Sequence, residues 1–101
     1  MADYLTSFTP SQNLLIDTGQ GHVAGIIVTS DSATPGACTL YDYTGNGPPT
    51  GPVLITVIAN YYSPIILMMN DRFAPRFHDG LWLYLSDHCY LTLWHHMPKV
   101  I

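Results

Sequence analysis

Residues 80–96 read GLWLYLSDHCYLTLWHH. Successive side chains alternate across an extended strand, so this stretch resolves into two strands with two apolar faces each. In the first, Leu81, Leu83 and Leu85 share one face, while Trp82, Tyr84 and Ser86 share the other. In the second, Cys89, Leu91, Leu93 and His95 alternate with Tyr90, Thr92 and Trp94. Asp87-His88 joins them. Read as a hairpin, a register that sets leucine beside leucine also sets the rings together. The leucine face becomes a sandwich core, and Trp82, Tyr84, Tyr90 and Trp94 form an aromatic patch on the opposite face. Four rings at about 150–250 Å² each amount to roughly 600–1,000 Å², more than a soluble monomer ordinarily leaves bare. Either the N-terminal arm or a loop of the same chain covers that patch, or a second subunit does. The enrichment of Trp and Tyr at protein interfaces favours the subunit.

Outward from this ribbon the pattern of short strands continues. Met1–Ser11 carries Tyr4, Leu5 and Phe8 among polar residues and Pro10, and reads as an extended arm; residues 12–101 form the sandwich domain. Strands are expected over Asn13–Asp17, His22–Thr29, Ala37–Tyr43, Val53–Ala59 and Pro64–Met69. Arg72–Phe77 reads as an irregular edge strand, because Pro75 cannot donate to a ladder. Turn chemistry separates them: Thr18-Gly19-Gln20-Gly21, SDSATPG at 30–36, TGNGPPTGP at 44–52, and Asp79-Gly80. About eight strands at roughly ten-residue spacing, with no helical period, predict an all-β chain. It should close as a single β-sandwich or jelly-roll-like domain.

Charge is scarce. Charged residues make up 10% of the chain, against about 25% in an ordinary soluble domain. They are seven Asp, Arg72, Arg76 and Lys99, with no Glu, while apolar residues reach 48%. A net charge of −4 with three cations cannot neutralise a phosphate track, so no nucleic-acid partner is expected. Val53–Met69 is the most lipid-like stretch, but Asn60 and Pro64 interrupt it and it is too short to span a bilayer, so no membrane partner is expected. Residues 1–12 hold an acid, a proline and no apolar run, so no secretion signal is read. Cys38 and Cys89 are then expected as two reduced, buried thiols in a chain kept in a cytoplasm or in a particle assembled there.

Few residues suggest chemistry. His95 and His96 point to opposite faces of one strand and cannot share an ion, and His88-Cys89 lacks any paired ligand spacing. Ser86-Asp87-His88 has the residue types of a hydrolytic triad, but consecutive residues at a turn diverge where a triad must converge. The scattered Asp residues sit beside turns, which they stabilise. Gly45-Asn46-Gly47 is a turn with no following helix to offer a phosphate site. No catalytic, cofactor or metal residue is assigned, and no enzyme activity is expected. Arg72 and Arg76, four apart, share a strand face as either a solvated edge or a docking edge.

The run GHVAGIIVTS at 21–30, CTLYDY at 38–43 and the terminal FHDGLWLYLS…CYLTLW resemble small all-β head decoration (cement) proteins of tailed bacteriophages. The resemblance spans about Gly21 to Trp94 and lies in the rhythm of strands and turn glycines. It implies a β-sandwich or jelly-roll protomer, often trimeric, seated over junctions of the major capsid protein on the capsid surface, with no catalytic residues. On that reading the aromatic residues make the oligomer, while Tyr4, Phe8, Arg72 and Arg76 dock on the shell. Two alternatives stand beside it. One is a tail or head–tail joining virion component; the other is a sugar- or receptor-binding module using Tyr43, Asn60, Tyr61 and Tyr62.

Overall fold

Thr, Val, Ile, Leu and aromatic residues alternate between turn clusters, and each such run becomes a strand. The computed structural model describes residues 2–45, 49–60, 63–69 and 74–97. Nine strands occur among them: β1 (Ala2–Phe8), β2 (Gln12–Thr18), β3 (Gly21–Ser30), β4 (Gly36–Asp42), β5 (Val53–Ala59), β6 (Ile65–Met68), β7 (Arg76–Phe77), β8 (Gly80–Leu85) and β9 (Cys89–Met97). One sheet has the order β1-β9-β3-β6, with the two-residue β7 also paired to β3; the other has the order β2-β8-β4-β5. All pairings are antiparallel. The chain behaves as one long hairpin bent between β4 and β5. Its halves pair as β1·β9, β2·β8, β3·β6 and β4·β5 and wrap into two layers, the jelly-roll arrangement of an all-β sandwich.

The core follows from the leucine stripes. Leu81, Leu83 and Leu85 of β8 and Cys38 and Leu40 of β4 point inward from one sheet. Leu91 and Leu93 of β9 and Val23, Ile26 and Val28 of β3 point inward from the other, and Phe77 fills the end. A Cβ at Gly36 would lie 2.8 Å from the Cβ of Cys89, so glycine lets the layers close at that point. Cys38 and Cys89 are buried, free thiols. Burial, and after it the neighbouring Cys89, pushes the Cys38 thiol up to about 12.

Three expectations need correction. The 80–96 stretch is not a paired hairpin, because β8 and β9 belong to different sheets and the chain crosses the sandwich at Ser86–His88. Alternation states which residues share a face, not which sheet a strand joins. Leucine facing leucine across the core satisfies the pattern as fully as leucine beside leucine. The expected arm is also built into the fold: β1 pairs with β9 from Ala2↔Met97 to Phe8↔Leu91. Within the described part of Arg72–Phe77, residues 74–77, the strand is Arg76–Phe77; residues 70–73 lie outside the described residues.

One carboxylate ties the far end together. Asp42 is buried and accepts from the backbone N–H groups of His78 at 3.0 Å, Asp79 at 2.9 Å and Gly80 at 3.3 Å. Burial by itself would raise its pKa, but the donors from Asp79, His78 and Gly80, with the charge of His78, outweigh it and hold the carboxyl below its usual range. A depressed carboxyl stabilises the fold above its unfolded pKa and loses that contribution as pH falls through the native value. Asp42→Ala should therefore cost about 1–3 kcal/mol in urea unfolding at neutral pH. That gap should narrow below about pH 4; an unchanged midpoint at neutral pH would contradict the assignment.

Candidate interaction face

The outward side chains of the β1-β9-β3-β6 sheet form rows across its strands. One row is Leu5, Trp94, Gly25 and Met68; the next is Ser7, Thr92, Ile27 and Ile66. An antiparallel sheet with one solvated face ordinarily places polar residues there. Here Leu5 is 61%, Ile66 64% and Met68 66% exposed, with Trp94 and Ile27 half-buried between them. A Cβ at Gly25 would come 2.8 Å from the Met68 sulfur, so Met68 lies across the glycine and extends the apolar surface over β3. Neither row holds a charged residue. The face continues to the open edge at β6, where Leu67 is also exposed and no Lys or Pro interrupts the strand.

Polar groups frame this surface at both ends. At one end Tyr90 donates to Asp31 Oδ2 at 3.2 Å, and His88 Nδ1 lies 2.8 Å from Asp31 Oδ1. Donation to the Asp31 carboxylate, and after it that carboxylate's charge, raises the Tyr90 pKa. At the other end His22 and His96 stack with ring centroids 4.8 Å apart.

The four rings expected to share one patch are divided between the two outer faces. Tyr90 and Trp94 belong to the face just described. Trp82 and Tyr84 lie on the outside of the β2-β8-β4-β5 sheet, across the sandwich. Trp82 is only 8% exposed: its indole N–H donates to Asn13 Oδ1 at 2.7 Å, and Tyr43 packs edge-on at 5.2 Å. Its own chain covers it. Phe8, expected on the shell side, packs against the core instead. Tyr4 pairs with His95 in the β1–β9 ladder, and Arg76 is exposed opposite His22 on β7; Arg72 lies outside the described residues. Tyr43 is engaged with Trp82 and Asn60 bridges to Ser63, while Tyr61 and Tyr62 lie outside the described residues.

In the sequence Leu5 reads as part of the arm and Ile27 as part of a strand apolar on both faces. The signal at Ile66 and Met68 is that Val53–Met69 carries no charge and β6 is apolar on both faces.

The chemical constellations disperse. His95 points inward, its Nε2 3.3 Å from Asp17 Oδ2, whereas His96 points outward to His22. Ser86 Oγ accepts from the Ala37 N–H at 2.8 Å, Asp87 accepts from the Ser11 hydroxyl, and His88 turns to Asp31. The three side chains thus serve three different partners. Among the described residues, no three of His, Cys and Asp are grouped as metal ligands. An open hollow of about 600 Å³ lies where the β1–β2 turn, the start of β4 and the β8–β9 crossing meet. Ser11 and His88, at φ 63° and 66°, both line it. Left-handed backbone at a residue other than glycine costs on the order of 1–3 kcal/mol. The surrounding hydrogen bonds hold both in place.

No protein-family model matches this chain, and no curated protein matches it significantly. Trp82→Phe should remove the bond to Asn13 and lower stability by about 0.5–1.5 kcal/mol. Its self-association in light scattering should equal that of the wild type, since the indole faces its own chain.

Proposed function

We propose that this chain is a virion structural protein: a capsid decoration subunit that binds an assembled shell as a homo-oligomer, with a trimer favoured. The observation that carries the reading is the uncharged outer face of Leu5, Trp94, Ile27, Ile66 and Met68. Fully burying an aliphatic side chain of this size is worth about 1.5–3 kcal/mol. Three of these are more than half exposed in a single copy. A second copy laid against them supplies several such increments, which must offset the entropy of association.

The occupant we favour is another copy of the same chain, because the two central rows hold no charge to select a different partner, with Arg76 and Asp31 only at their ends. The shell enters through the resemblance to decoration proteins. An oligomer engaging several equivalent shell sites gains from high effective concentration even when each contact is modest. A tail or joining component would share the fold and the interface but would occur in few copies per particle.

Ile66→Lys places a charge at the middle of the face without touching the core. The wild type should elute as a multimer with light-scattering detection, and Ile66→Lys as a folded monomer. The wild type should also co-sediment with assembled particles in hundreds of copies. A clean wild-type monomer at micromolar concentration overturns the oligomer, and failure to co-sediment overturns the shell role.

A further inference from the structure

The hollow beside Tyr84 lies on the layer opposite the apolar face, and the assembly reading makes no use of it. It is an open hollow lined by polar side chains together with Tyr84, Pro35 and Leu85. Tyr84 is 42% exposed there, standing outward from β8 with Asn13 of β2 beside it in the ladder. Asn13 Oδ1 is occupied by the Trp82 indole N–H, which leaves its amide NH₂ as the free donor. Gln12, paired with inward-facing Leu85, lies on the other face of β2 and donates to Thr9 at 3.4 Å. Asp87 receives the Ser11 hydroxyl on Oδ1 and retains Oδ2. A donor on Asn13 and an acceptor on Asp87 thus line the same hollow as the Tyr84 ring.

The cup is also preformed. Ser11 N–H donates to Ser86 O at 3.2 Å, and Ser86 N–H donates to Ala37 O at 3.0 Å. Asp31 N–H donates to His88 O at 3.0 Å, and the Asp31 carboxylate holds the His88 ring. Three chain segments are therefore locked at this point, and the two residues with left-handed backbone are the ones that bring them together. A rigid, strained rim around an open polar hollow is the arrangement expected of a binding site.

The ligand's chemistry follows from what lines the cup. Among the described residues no Lys or Arg lines it, the His88 ring is engaged by Asp31, and Asp87 repels anions, so phosphate, sulfate and carboxylate ligands are disfavoured. An exposed phenol ring flanked by amide and carboxylate groups suits a flat, uncharged ring bearing many hydroxyls. We propose that this hollow binds a neutral saccharide, with Tyr84 as the stacking platform and Asn13 and Asp87 as the hydrogen-bonding groups. A decoration subunit so equipped would present a sugar-binding surface on the particle exterior. The site's existence does not depend on assembly, since a monomer keeps the cup intact.

Saturation-transfer difference NMR on the full chain, with the methyl glycosides of glucose, galactose, mannose and N-acetylglucosamine, tests this directly. Transfer to at least one sugar ring is expected, with backbone shifts at Gln12 and Tyr84. Tyr84→Ala should weaken binding about tenfold through loss of the stacking contact, and Tyr84→Phe should retain it. No transfer to any of the four, shifts confined to residues outside the cup, unchanged binding by Tyr84→Ala, or loss in Tyr84→Phe would each overturn the proposal. None of these results bears on the oligomer, which is read from light scattering and the opposite face.

Discussion

The structure depends on two leucine stripes that face each other across the sandwich. Leu81, Leu83 and Leu85 close one side of the core, and Leu91 and Leu93 close the other. That opposition requires the chain to leave one sheet after Leu85 and enter the other at Cys89. The crossing draws Ser11 of the β1–β2 turn to Ser86 and His88 to Asp31, and so builds the end of the molecule where the hollow lies. Small inward residues, with Gly36 set against Cys89, let the layers meet there.

The two outer faces are finished differently. On the β2-β8-β4-β5 sheet, Trp82 is roofed by Tyr43 and bonded to Asn13, and Thr39 is buried beside Tyr84. On the β1-β9-β3-β6 sheet no such roof appears among the described residues over Leu5, Ile66 and Met68. The contrast is centred on Trp82: at the edge of the same sheet Ile58 of β5 is 63% exposed.

The scarcity of charge acquires a structural meaning. Asp17, Asp31, Asp42 and Asp87 each accept hydrogen bonds that secure a turn or connect the two layers. Asp42 makes these bonds from a buried position, whereas Asp31 and Asp87 make theirs at the surface.

The all-β class, every strand from β2 to β9 to within a few residues, the leucine core and the divergence of His95 from His96 were legible in the sequence. Each rests on local alternation and turn chemistry, which act over a few residues. Sheet membership was not legible, because a strand's two-residue period is the same whether its apolar face meets a neighbour alongside or a partner across the core. The interaction face escaped for that reason: Leu5, Trp94, Gly25 and Met68 are distant in the chain and become one row only through the pairing of β1, β9, β3 and β6. The cup beside Tyr84 likewise exists only where three separated segments converge. Local pattern determined which residues are strands and which side of each is apolar; long-range pairing alone decided which of those sides became core, which were covered, and which stayed exposed.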